Sequence, residues 1–319
     1  MISEPVSKRC DNRKMQAPQH PNTTDASEWF SIKYLPNGYY TLSFDFFVNW
    51  RTYQISNEIW LKRIVNHNSY SSWPTTNKTT VQSALDQCEG KNTLKRIGSF
   101  ASKRNLRAIY HIFKDSINWV DYPASFISTE INSKGNIARI TKNDLGFIKD
   151  EIIRLSGKKI YVGQKGLSYS STALECYLAN QKTGATWPGD VDAILFNKDD
   201  EPISIIEYKK NTIHPRKSYH TPIIKEGLSN FYSPTKWAKD NSKYNRLSIF
   251  RDYIGDKELP IIIVYYPSWE SDKPEKNIIK LEEIGGKVNS LKTIQEKTLA
   301  VPYTTKDKKS LVATLLNMV

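Results

Sequence analysis

The chain has 319 residues, 39% of them hydrophobic, and 46 Lys and Arg against 33 Asp and Glu leave a formal charge of +13. That is enough apolar material for one large domain or two moderate ones, and the positive excess points to a polyanionic partner, nucleic acid first, with affinity that falls as salt rises. Cys10, Cys88 and Cys176 are far apart and the five histidines are scattered, so no zinc or disulfide framework is read and reduced thiols are expected. The longest apolar run, Pro260 to Tyr266, is far short of a bilayer span and the N-terminus has no apolar signal core. A cytoplasmic protein with no membrane partner is the expectation.

Residues 1–27 are rich in Pro, Asn, Thr and charge and read as a flexible arm. An N-terminal α+β region over 28–140, read as a candidate for target recognition, is set against a core over 141–319 with a boundary near 125–145; with no clear linker or internal repeat, one continuous fold is the alternative. Phe30 to Leu35 and Tyr39 to Phe44 flank Pro36-Asn37-Gly38, which predicts a hairpin. Helices are predicted over Asn57 to Asn66, Thr80 to Cys88 and Thr93 to Phe113, the last interrupted at Gly98-Ser99. Between Lys91 and Lys114 lie seven positive residues and no acid. On a helix Lys103 and Arg107 share a face beside Arg104, a pattern suited to phosphate contact or, more plainly, to solvation. Asn143 to Leu155 reads as a helix with Asn143 as N-cap and Gly157 as its stop. A further helix opens at Ser171-Thr172 and runs to Lys182 or Thr183, and within it Thr172 and Glu175 have capping-box spacing.

The chemistry concentrates in residues 187–210. Val191 to Phe196 and Ile203 to Tyr208 are short apolar runs rich in β-branched residues, separated by the turn-forming Asn197 to Pro202. Side chains alternate faces along a strand, so Asp190, Asp192, Ile194 and Phe196 share one face and Ile205, Glu207 and Lys209 share another. A hard cation such as Mg²⁺ takes carboxylate, phosphate and water oxygens, which Asp192 and Glu207 can supply, with Mn²⁺ as a substitute. Lys209 falls roughly 6–7 Å along the strand from Glu207, near enough to act on a metal-bound water. Taken alone, a Glu-X-Lys on a strand is a solvated ion pair. Here it closes an Ile-rich strand, where unpaired charge is costly and so often functional.

An Asp entering a strand, a hairpin turn and Glu207-Tyr208-Lys209 ending the next strand resemble the signature of the PD-(D/E)XK nuclease superfamily. The match departs at the Pro-Asp half, present only as Pro188-Gly189-Asp190-Val191-Asp192, which leaves open whether Asp192 or Asp190 is the principal ligand. Asp192 lies directly against the apolar run and is preferred. The resemblance implies an α/β (α+β) restriction-endonuclease-like core, a mixed central sheet flanked by helices, and a further Glu from a preceding helix. Glu175 is the first choice for that acid, with Glu151 in reserve, and its capping role competes.

Downstream, residues 209–251 carry ten positive residues against Glu226 and Asp240. Lys236, Lys239, Lys243 and Arg246 recur at helical spacing and, with Lys210, Arg216 and Lys217, form a candidate surface for the nucleic-acid backbone. Leu259 to Tyr266 reads as a buried strand, Asn277 to Leu281 as another strand, Gly285-Gly286 as a turn, and Lys306 to Met318 as an amphipathic helix. The expectation is a Mg²⁺-dependent endonuclease of restriction or defence type acting on double-stranded DNA. A structure-specific or RNA-directed nuclease and a catalytically silent nucleic-acid binder are the alternatives. A homodimer is compatible with cutting both strands, and no feature requires one.

Overall fold

The computed structural model describes residues 2–5, 8–10, 26–66, 73, 75–115, 124–161, 169–180, 184–211, 221–235, 240–255, 258–267 and 277–319. Contacts divide the chain into two units, Met1–Gln16 with Phe44–Gly189 and Ala17–Ser43 with Asp190–Val319. The division does not fall near 125–145: residues there form two paired strands of the first unit.

The first unit runs β1 (Ile2–Ser3), β2 (Lys8–Arg9), β3 (Tyr40–Asn49), β4 (Gln54–Val65), α1 (Lys78–Glu89), α2 (Lys91–Lys103), β5 (Arg107–Phe113), β6 (Ala124–Ile131), β7 (Ile137–Asp144), α3 (Leu145–Ser156), β8 (Tyr169–Ser170) and α4 (Ala173–Asn180). Strand β3 belongs to this unit from Phe44 onward. The β3–β4 pair is antiparallel, α1 and α2 carry the chain across to β5 parallel to β4, and β6 and β7 continue antiparallel. Helix α2 covers one face, where Phe100 meets Phe44 at 5.3 Å. Helices α3 and α4 cover the other, packing Ile148, Ile152, Leu174 and Leu178 on Trp60, Ile109 and Phe126.

Several sequence expectations change here. Residues 57–66 form strand rather than helix: Glu58, Trp60 and Lys62 share one side, Ile59, Leu61 and Arg63 the other, and because both sides are covered the polar-apolar alternation is blurred. The helix predicted to Phe113 ends at Lys103. Asn105, at φ 54, turns the chain and Arg107 opens β5, so Lys103 and Arg107 do not share a helix face. Ala26–Phe30 is a 3-10 turn that buries Trp29 and Phe30, so only the second half of the predicted early hairpin is a strand. Asp144, not Asn143, caps α3, accepting from Phe147 N at 2.7 Å, and Gly157 ends it at φ 71 as its position implied. The expectation of three reduced thiols is also corrected: Cys10 and Cys176 are joined in a disulfide and Cys88 alone is a free thiol. Their sequence separation of 166 gave no spacing signal for their meeting.

The second unit repeats the succession of elements, although the sequence shows no repeat. It has β9 (Gly189–Phe196), β10 (Pro202–Asn211), α5 (Asn241–Ile254), β11 (Ile261–Pro267), β12 (Ile278–Lys287), β13 (Ser290–Ala300) and α6 (Thr305–Leu316). Again a hairpin leads through a helix to a parallel strand, and two antiparallel strands and a helix follow. Thus each unit is a mixed α/β layer structure with a mixed sheet flanked by helices. Helix α6, begun by a Thr304–Asp307 capping box, packs Leu311, Val312 and Leu315 on Ile206, Ile262, Val264 and Leu281. Gly285-Gly286 lies inside β12 rather than at the turn. Gly286 sits where a Cβ would come within 2.6 Å of the Ser290 carbonyl, and Asn289, at φ 64, makes the reversal. No helix among the described residues is long and apolar enough to cross a membrane.

Thiol titration checks the cysteine assignment. Denatured, non-reduced protein should react at one cysteine and reduced protein at three, with Cys10 and Cys176 protected together.

Candidate functional site

Strand register decides where the acids of the second unit fall. The β9–β10 ladder pairs Ser204 with Leu195, Ile205 with Ile194 and Ile206 with Ala193. One further step brings Glu207 opposite Asp192, and cross-strand partners project to the same face. Tyr208 N donates to Asp192 Oδ2 at 2.6 Å, which holds the carboxylate beside its partner strand. Ala193, Leu195 and Ile206 point the other way into the core beneath α6, so the two acids lie on the face that α5 approaches.

Glu207 is fully buried. Lys243 of α5 forms an ion pair with its Oε1, and Oε2 is buried without a hydrogen-bond partner. The Tyr244 hydroxyl is likewise buried and unpartnered, and burial together with the negative charge of Glu207 pushes its pKa up. Burial, then the charges of Glu207 and Asp190, lift the Asp192 carboxyl well above the ordinary carboxylate range; Lys243 and the Tyr208 amide pull weakly the other way. For Lys243 burial opposes the charge, and Glu207, Asp192 and Asp190 more than offset it and raise its pKa. The cluster is short of positive charge and of hydrogen-bond partners.

Those features fit a divalent cation held by Asp192 and Glu207. Among the described residues no three His, Cys, Asp or Glu side chains form a ready-made metal cage. Mg²⁺ characteristically takes one or two carboxylates and completes its shell with water and substrate phosphate. Asp190 is exposed at the start of β9 and adds negative charge nearby. Lys209, two residues beyond Glu207 and on its face, makes a 2.6 Å ion pair with Asp240 and lies 4.0 Å from the Phe231 ring centroid.

The remaining sequence choices are dispersed. Glu175 belongs to the first unit, where Lys62 pairs with it and Ser171 N donates to it at 2.9 Å. Thr172 Oγ1 accepts from Glu175 N, which agrees with the capping explanation. Glu151 is ion-paired to Arg154 in the same unit. Lys103 is exposed, Arg104 lies over Phe100, and Arg107, expected to face phosphate, pairs with Glu58 and Glu130. Lys210 and Arg246 are partly buried. Lys243 is not part of an open basic stripe but the cation of the acid pair. Arg216, Lys217, Lys236 and Lys239 lie outside the described residues. Asp240 was not assigned from the sequence and Lys243 was assigned to the nucleic-acid backbone rather than to Glu207: they sit three apart at the start of α5, and nothing local reveals which strand they face.

No family model matches the chain, and no curated protein matches it.

Two outcomes follow from the charge imbalance. Lys243→Ala leaves Glu207 buried without its cation and should destabilise the metal-free protein at the low end of about 3–5 kcal/mol, since Lys243 is partly exposed; urea unfolding with EDTA measures it, and Mg²⁺ should restore part of the loss. The raised pKa of Asp192 means that the native state binds more protons than the unfolded chain above the ordinary carboxylate pKa, so stability falls as pH rises through that window. Thermal unfolding should therefore show a Mg²⁺-dependent gain that grows with pH, and Asp192→Asn should abolish the gain.

Proposed function

We propose that this protein is a Mg²⁺-dependent nuclease that hydrolyses DNA phosphodiester bonds, an endonuclease of restriction or defence type whose second unit is a restriction-endonuclease-like core of the PD-(D/E)XK superfamily. The observation that carries the reading is that Asp192, held by the Tyr208 amide, lies near enough to the buried Glu207 to feel its charge, with Lys209 following on the same strand. The order hairpin, helix, parallel strand in the second unit supports it, as does the charge of +13.

Asp192 and Glu207 would hold the ion, with Mn²⁺ able to replace Mg²⁺. Bound there, it would polarise the scissile phosphate and acidify a water molecule. The protein's own groups have distinct parts. Asp190 adds to the negative potential that draws a cation in. Lys243 neutralises Glu207, and with that carboxylate given to an ion its ammonium would add positive charge to the site. Lys209, steadied by Asp240 and the Phe231 ring, supplies an ammonium that stabilises the charge gathering on the phosphate oxygens. Glu175 has no part in this mechanism.

The two lysine–carboxylate pairs also favour a second reading, a silent nucleic-acid binder in which Lys243 and Glu207 are a structural ion pair. Incubation with circular duplex DNA, single-stranded DNA, branched DNA and RNA in Mg²⁺ or Mn²⁺ separates the two and selects the substrate. Asp192→Ala, Glu207→Ala and Lys209→Ala should each lower cleavage by about 10²–10³-fold or more while salt-dependent binding persists. Binding without cleavage of any substrate, or cleavage indifferent to Asp192, would leave the binder.

A further inference from the structure

The first unit contains a cavity of about 260 Å³ on the sheet face beneath α3. It is small beside ligand clefts of roughly 300–1,000 Å³, with room for one planar heterocycle and little more. At its floor is His111, which is 2% exposed. Burial pushes its pKa down to about 3, so the imidazole is neutral at physiological pH. The Ser128 hydroxyl accepts from Asn143 Nδ2 at 2.8 Å and lies 2.9 Å from His111 Nδ1. Ser128 Oγ has two lone pairs and one proton, so it pairs with Nδ1 in either tautomer, and the opposite ring nitrogen, Nε2, is buried without a hydrogen-bond partner.

Asn143 donates through Nδ2 to Ser128 and to Thr141, at 2.8 and 3.2 Å, which leaves its Oδ1 as an acceptor in the cavity lining. The lining acids are already neutralised: Glu58 and Glu130 bind Arg107, and Glu151 binds Arg154. A metal ion finds no unpaired carboxylate here. Phe147, 47% exposed on α3, supplies aromatic surface, while Trp60 is buried with its indole N–H donating to Glu58. Arg139 is exposed, and among the described residues no ion pair or side-chain hydrogen bond engages its guanidinium.

We infer that this cavity binds a single nucleobase, either turned out of a nucleic-acid strand or carried by a free nucleotide. The Phe147 ring receives the base, Asn143 Oδ1 accepts from an N–H on its polar edge, and Arg139 meets the attached phosphate. The inference rests on the nucleic-acid reading for its natural ligand and not on cleavage. In the first unit it gives residues before the β9–β10 hairpin a reading role, separate from the acids that cut.

The test uses the full chain in EDTA. Equilibrium dialysis compares the four nucleoside 5′-monophosphates with ribose 5-phosphate, and fluorescence follows a duplex containing 2-aminopurine against one with an abasic site at the same position. At least one base should bind 10-fold or more tightly than ribose 5-phosphate, or the 2-aminopurine signal should change on binding. Asn143→Ala and Phe147→Ala should remove that preference 10-fold or more, and Arg139→Ala should weaken the monophosphate and spare the nucleoside. Phe147 and Arg139 are exposed, so these two variants fold even if changes at the floor do not. Response to free monophosphates alone identifies a nucleotide ligand, and response of the duplex alone identifies an extruded base; both support the cavity. No preference for any base over ribose 5-phosphate with no 2-aminopurine response, or variants that bind as the parent does, overturns it. Asp192-dependent cleavage, measured in parallel, stands or falls independently of that result.

Discussion

The register of one antiparallel ladder fixes the chemistry of the second unit. Because side chains alternate, a slip of one residue between β9 and β10 would put Asp192 and Glu207 into the core and lift Ala193, Leu195 and Ile206 out of it. Apolar packing beneath α6 therefore positions two acids that contribute nothing to that packing. Having been placed on a buried face, they need a cation, and Lys243 supplies one from α5. The acids are thus held by the core, and their charge is balanced by an ammonium from a separate element.

The same succession of elements is used twice with opposite content. In the second unit the acids lie on the face of the helix that links the parallel strands. In the first unit that face is apolar around Phe44 and Phe100, and Arg63 on it is taken up by Glu89. Asp45 pairs across strands with Trp60, and Lys62 follows two residues on, which copies the spacing of Asp192, Glu207 and Lys209. Those side chains lie on the opposite face, under α3 and α4, and an indole stands where the second unit has a carboxylate. That face carries the cavity lined by His111, Ser128 and Asn143. A strand's two faces are chemically independent, so one succession of elements can carry different content on each.

What the sequence by itself determined was local. The β-branched runs around Asn197 to Pro202 mark a hairpin, and alternation alone puts Glu207 and Lys209 on one face of its second strand. Gly157 and the Thr304–Asp307 box mark helix ends through backbone and capping chemistry that needs no distant partner. The tertiary structure decided the rest, because the deciding partner was remote in sequence. Residues 57–66 became strand since both their faces are covered, Arg107 turned to Glu58 and Glu130 rather than to phosphate, and Cys10 found Cys176. Lys243, one basic residue among many on a helical repeat, became the counter-ion of Glu207 because folding set α5 against that strand face. Spacing along a chain reports which groups share a surface, and only packing of one element on another reports which surfaces meet.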